Sequence, residues 1–497
     1  MDVNARNPII WADVPDPSVI RVGDTYYMTS TTMHMNPGVP VMKSKDLVNW
    51  EIVNYVYDVL GDDDRQQLAN GQNEYGIGSW ASSLRYHNSM YYVAFSSQTA
   101  GRTFIYKTKD IEAGPWDKSE IEFTHDMSLL FDDDGRVYLV YGGGDIKILE
   151  LTADAGAIKP DGLNQVIIPN SSAVAGPNIG LPAEGAHIRK INGKYYIFLI
   201  TWPRGGMRTQ LCFRADHITG PWEGRVVLQD AGIAQGGLVD TPDGRWYALL
   251  FGDRGAVGRI PYLVPVRWED DWPVFGIDGH VPRELDIAAK AELKIVSSDE
   301  FDQGDNSQLP LVWQWNHNPD HRFWSLSERP GCLRLKTGHV CSGFLEARNS
   351  LTQRTFGPVC SGVIAVETSG MRDGDFAGLG VLQNHYGFAA VKMSESRKSL
   401  VMVDGTQEIP EEVEAVELTQ DRVYLKIECD FREHKDQAYF YYSLDGRNWK
   451  PIGRSIKMLY TLPHFMGYRF ALFNYATKNT GGYVDFDYFR ISDKITN

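Results

Sequence analysis

No apolar run in this chain of 497 residues approaches the roughly 20 that cross a bilayer, so a membrane is not an expected partner. Helix-period stretches are missing as well, which excludes helical bundles and alternating helix–strand folds. Cysteine is scarce. The five thiols (Cys212, Cys332, Cys341, Cys360, Cys429) are odd in number, scattered and without CxxC spacing. They exclude a disulfide framework and a zinc site, and read as buried apolar groups. Cationic residues are in deficit: 49 Lys and Arg face 64 Asp and Glu, a formal net charge of −15. Nucleic acid would be repelled by such a chain, whereas a neutral ligand suits it. Met1 leads almost directly into the first motif, without a charged and then apolar leader. The expectation is a cytoplasmic protein, or an exported one whose signal has been removed. Nothing in the pattern specifies an oligomeric state.

Glycine (48 residues) and aromatic residues (12%) are abundant, which favours short strands, tight turns and rings free to stack on a ligand. The stretch IWADVPDPSVIRVGDTYYMTST (10–31) sets Asp16 between two prolines, ahead of an alternating strand, a Gly23-Asp24 turn and a Tyr26-Tyr27 pair. The prolines restrict the backbone that carries the carboxylate. The same pattern returns at Ala81, Asp126, Glu184 and Gln235. Aligned on Tyr27, Tyr92, Tyr138, Tyr196 and Tyr247, these leading residues lie 11, 11, 12, 12 and 12 positions upstream, the extra residue being assigned to longer turns. Five repeats at intervals of 45 to 65 residues leave room for four strands each. That spacing predicts a five-bladed β-propeller within 1–277. The aromatic pairs of YYMTST, YYVAFSS, VYLVYGG, YYIFLITW and WYALLFG are expected to fill the space between blades.

Residues 278–298 lack the blade pattern and read as a connecting strap. From 299 to 497 a second all-β unit is expected, a two-sheet sandwich with strands at 332–338, 362–369, 376–383, 423–431, 438–445 and 483–491.

If the repeats are equivalent, Asp16, Ala81, Asp126, Glu184 and Gln235 ring one axis, and three of the five are acids. Glycosidic bond cleavage needs such a set: one carboxyl that donates a proton, one that activates water or attacks the sugar, and a neighbour that keeps the acid protonated. The longer reach of Glu184, beside Gly185, suits the acid; Asp16, held between prolines, suits the base.

Pro-Asp-Pro-Ser at 15–18 with RVGDTYYMTST, Asp126 ahead of a DDDG turn, Glu184-Gly-Ala-His, GRIP at 258–261 and the later SLDGRNW and DFDYF elements resemble glycoside hydrolase family 43. The resemblance is to its two-domain β-xylosidase and α-L-arabinofuranosidase members and runs over nearly the whole chain. It implies a propeller followed by a concanavalin-like jelly roll. The implied activity is exo-acting and inverting, releasing terminal α-L-arabinofuranose or β-D-xylose from hemicellulose oligosaccharides. Asp16 would be the base, Glu184 the acid and Asp126 the group that tunes it. Inversion implies carboxyl groups of Asp16 and Glu184 roughly 6.5–9.5 Å apart. Trp80 would wall the sugar pocket and Arg259 of GRIP would bind sugar hydroxyls, the alternative for Arg259 being a structural salt bridge.

Departures from the family pattern also carry expectations. Gln235 replaces a histidine that helps hold a water or calcium on the axis, so an axial metal is in doubt while Gln235 faces substrate. Met33 and Met35 stand where aromatics are common and are expected to border the pocket. Segment 470–482 is the candidate sandwich loop at the pocket mouth. No cofactor is required for catalysis. Asp299 and Asp487 would either hold a structural calcium or cap strands. Two other readings remain: a carbohydrate-binding protein without activity, and an endo-arabinanase with an open cleft.

Overall fold

Each of the five repeats folds into a four-stranded antiparallel sheet in the computed structural model, which describes residues 4–303 and 308–496. The blades run from Ser18–Val22 to Glu51–Tyr57, Ser79–His87 to Asp117–Glu122, Ser128–Phe131 to Asn164–Ile168, Ile179–Ile191 to Glu223–Leu228, and Ala234–Asp240 to Trp272–Phe275. The aligned tyrosines lie on each second strand, opposite Ile20, Arg85, Leu130, Arg189 and Val239 of the innermost strands. All five are buried, and separate apolar clusters fill the gaps between neighbouring blades. Full burial of such a side chain contributes about 1.5–3 kcal/mol, so these rings hold the blades together.

Longer turns explain the extra residue only in blades three and five. Blade four has a tight turn between Ile191 and Lys194, and its extra residue is taken up by irregular pairing between Glu184 and His187. Backbone conformation shows the true equivalence. Asp16, Asp126 and Gln235 have φ of 51°, 47° and 56°, and the matching left-handed position in blade four is Gly185, at 69°. Glu184 therefore stands one residue upstream of the position held by the other acids. Non-glycine residues in this region carry a cost of order 1–3 kcal/mol, which gathers here at the mouth of the channel.

Side chains that reach across the axis close the channel beneath. Arg85 of blade two donates to the carbonyls of Leu129 and Ile188 and to Ser128 Oγ, while Arg189 of blade four donates to the carbonyl of Val19 in blade one. Blades one and five are tied by Arg21 and Asp240. In the strap, Glu284–Ala288 pairs with Asn4–Arg6.

Among the described residues the second unit is a sandwich of two sheets, to which it supplies seven and eight strands, and it contains all six expected strands. Segment 470–482 is not a mouth loop: Arg469–Ala476 is a fully buried central strand, because FALFNYA packs on both faces. The two units share a sheet. Met35–Asn36, from the first propeller blade, pairs with Gln314–Asn316 at the sandwich edge. No helix among the described residues is long and apolar enough to cross a membrane.

Candidate active site

A cavity of 160 Å³ opens where the innermost strands begin, lined by Asp16, Met33, Trp80, Ala81, His125, Asp126, Glu184, Gln235, Arg259 and Phe465. Its size is on the scale of a single sugar ring. The three acids, Trp80, Arg259 and Gln235 thus meet in one place.

Asp16 is the most tightly held. Its Oδ2 accepts from Thr31 Oγ1 at 2.7 Å, and Nη1 of Arg259 lies 3.0 and 3.2 Å from its two oxygens. The preceding carbonyl, of Pro15, accepts from Ser30 Oγ and the Thr31 N–H. Burial works against the charge on Arg259, but Asp16 and Asp13 outweigh it and the guanidinium is held firmly protonated. Arg259 is therefore both the expected pocket residue and a salt-bridge partner, and it also lies over the Phe465 ring at 4.4 Å.

Asp126 and Glu184 differ in exposure. The Glu184 side chain is 26% exposed, against 9% for Asp126 and 7% for Asp16, so Glu184 is the acid a leaving group can reach. Burial pushes the Asp126 carboxyl up to about 7; Glu184 and Asp16 add to the rise and His125 opposes it. His125, absent from the sequence expectations, places Nε2 2.8 Å from Glu184 Oε2 and 3.7 Å from Asp126 Oδ2. Burial disfavours the imidazolium, yet the hydrogen bond to Glu184 and the two carboxylate charges prevail and push it up to about 9. Its only local signal is the His-Asp dipeptide at 125–126.

The walls come from both units. Trp80 donates Nε1–H to the carbonyl of Gly76 at 3.1 Å and meets His125 edge-on at 5.7 Å. Met33 borders the cavity as expected. Met35 does not: it is buried in the sandwich among Phe344, Phe388 and Phe473. Phe465, from the sandwich, lines the cavity in place of the 470–482 segment.

Three places offer candidate cation ligands. Ligand atoms of His125, Asp126 and Glu184 lie within 4.8 Å of one another, but two of them are already joined by a hydrogen bond. On the axis the guanidinium groups of Arg85 and Arg189 suit a cation poorly. Asp299 accepts from Phe301 N–H, Gln303 Nε2 and Trp313 Nε1, and Asp487 pairs with Arg422, so both carboxylates are taken up by N–H donors. A roomier cavity of 390 Å³ at the junction of the units contains Asp320, which Arg322 holds down at about 2, and such a group supplies no proton.

Residues 5–273 match the model of glycosyl hydrolases family 43, and 298–492 match the beta xylosidase C-terminal concanavalin A-like domain. The chain belongs to glycoside hydrolase family 43. A beta-xylosidase of Formosa agariphila is 29% identical over 97% of this chain and 89% of its own length. A putative beta-xylosidase of Xylanibacter ruminicola is 32% identical over 92% of this chain and 84% of its own. Among solved structures, the bifunctional GH43-CE protein of Bacteroides eggerthii is 58% identical, with a TM-score of 0.98 over all of this family 43 chain. The chain spans 64% of that protein's length.

Proposed function

We propose that this family 43 enzyme is an exo-acting, inverting glycosidase that removes a terminal pentose from hemicellulose-derived oligosaccharides, with Asp16 as base, Glu184 as acid and Asp126 as tuning group. The observation that carries this is the convergence of three carboxylates of unequal exposure in a cavity the size of one sugar. Asp16, sheltered and fixed by Arg259 and Thr31, takes a proton from a water that attacks the anomeric carbon. Glu184, the open acid, gives a proton to the leaving oxygen on the opposite face, and the C–O bond breaks with inversion. Asp126 shares the His125 neighbour of Glu184, through which it acts on the acid. Trp80 and Phe465 supply apolar faces for the ring.

Either α-L-arabinofuranose or β-D-xylose fits this scheme. Relatives named for both exist, among them a non-reducing end alpha-L-arabinofuranosidase of Bacteroides ovatus, 32% identical over 67% of this chain and 64% of its own length. Hydrolysis of p-nitrophenyl α-L-arabinofuranoside and β-D-xyloside, followed by NMR of the released anomer, tests the proposal. Release of one pentose as the inverted anomer is expected. No release above that of an Asp16→Ala/Glu184→Ala double variant leaves a binding protein as the reading, and oligosaccharide products from linear arabinan point to an endo-arabinanase.

A further inference from the structure

Asp13 stands three residues before the proposed base, outside the pocket lining, and is 6% exposed. Its carboxylate nevertheless joins the two units. Oδ1 accepts the backbone N–H of Arg259 at 2.7 Å, and Oδ2 accepts the backbone N–H of Gly467 at 3.0 Å. Arg259 is the residue whose guanidinium holds Asp16, and Gly467 lies two residues beyond the pocket wall Phe465. The link has a second strand: Arg259 Nη2 donates to the carbonyl of Phe465 at 3.4 Å. A third contact comes from the sandwich, where Arg354 Nε donates to the Asp13 carbonyl at 2.9 Å.

The local sequence makes room for this side chain. A Cβ at Gly258 would sit 2.2 Å from Asp13 Oδ1; one at Gly467 would sit 3.0 Å from Asp13 Cβ and 2.2 Å from the carbonyl oxygen of Val257. Two glycines, more than two hundred residues apart, thus flank one buried carboxylate. Burial pushes the Asp13 carboxyl up, while the Arg259 charge and the two N–H donors, one from each unit, oppose the rise.

We propose that Asp13 is a positioning residue: it latches the sandwich loop around Phe465 to Arg259, so that docking of the second domain sets the geometry of the base Asp16. This rests on Asp16 acting as the base. The latch makes the sandwich part of the hydrolytic machinery, since the guanidinium that fixes Asp16 is itself fixed from both units.

The test is Asp13→Asn in the full chain, an isosteric change that turns one acceptor into a donor facing an N–H. Each preparation is titrated calorimetrically with the pentose that the wild type releases, so that kcat is expressed per binding-competent site. The expected result is a kcat per competent site lowered about tenfold or more, with similar losses for good and poor leaving groups, because water activation is needed with both. A raised KM with kcat within about twofold of wild type would reduce Asp13 to a support for the Phe465 wall and overturn the proposal. A kcat that falls only in proportion to the number of competent sites would also overturn it. Should Asp13→Asn fail to fold, Gly467→Ala strains the latch from the loop side with one methyl group. The same loss of kcat per site supports the latch, and native kcat in folded Gly467→Ala refutes it. Wild-type turnover that Asp16→Ala abolishes, together with native kcat in these variants, rejects the latch and keeps the glycosidase.

Discussion

Nε2 of His125 stands 2.8 Å from Oε2 of Glu184, the most exposed acid of the pocket. Burial opposes the imidazolium, but the hydrogen bond to Glu184 and the charges of Asp126 and Glu184 push it up to about 9. A raised value means the proton is kept at neutral pH and lost only as pH climbs toward that value. His125 is thus placed to return a proton to Glu184 after Glu184 has given its own to the leaving oxygen.

His125→Gln should move the alkaline limb of kcat/KM to lower pH. At mildly alkaline pH it should cost about tenfold or more, the lower range of general acid effects. Rates on a p-nitrophenyl pentoside between about pH 5 and 10 read this out. An unmoved limb would mean that His125 orients Glu184 without holding its proton.

Removal of the two outer acids should have different signatures. Asp16→Ala abolishes turnover on every substrate, because no other group is placed to activate the water. Glu184→Ala costs about 10²–10⁴-fold on poor leaving groups and much less on activated aryl glycosides. A Brønsted plot over a series of aryl pentosides distinguishes them, and equal losses across the series would speak against Glu184 as the acid.

Gly185→Ala tests the backbone of blade four. Gly185 has φ of 69°, and a Cβ there would lie 2.8 Å from Cδ and Nε2 of Gln235. The expected stability loss is about 1–3 kcal/mol, seen as a lower urea midpoint. Displacement of the neighbouring Glu184 by ~1 Å should lower kcat up to about 10²-fold. Native kcat would show that the acid is placed independently of this turn.

Glu74 offers a stability test at the junction of the units. It is 3% exposed, its Oε1 has no hydrogen-bond partner among the described residues, and burial pushes its carboxyl up to about 7. The folded value lies above the unfolded one, so the stability it contributes is complete below about pH 4.5 and is lost as pH rises to about 7. Glu74→Gln does not titrate. Relative to wild type it should gain up to about 3 kcal/mol between pH 4.5 and 8, measured from urea unfolding at each pH. Comparison with wild type cancels the nearby buried His34 and His317, which titrate in both proteins. A pH-independent difference would mean that Glu74 does not titrate in this range.

Local pattern carried most of the architecture. Turn chemistry and period-two alternation act over a few residues, so five repeats and six sandwich strands were legible without knowledge of what they pack against. Asp16 and Asp126 were found at left-handed positions that open inner strands, and their contexts signal this. Glu184 was found too, but its offset was misassigned to a turn, since an irregular pairing leaves no mark that a residue count can distinguish from a longer loop. Met33 and Met35 look alike in sequence, yet one borders the pocket and the other is buried in the sandwich. Residues two apart would share a face in an extended chain, but Met33 is left-handed at φ 51° and turns the chain, and the packing of Met35 depends on a neighbour some 280 residues later.

The sequence by itself determined the all-β class, the fivefold repeat and three acids at strand entrances. Only the tertiary structure decided that His125 pairs with Glu184, that Phe465 walls the pocket, and that Asp13 joins Arg259 to Gly467. Strand and turn preferences are energies of neighbouring residues. Contacts between segments hundreds of residues apart depend on how five twisted blades close into a ring and where the sandwich then docks. That geometry is summed over the whole chain and has no local period to read.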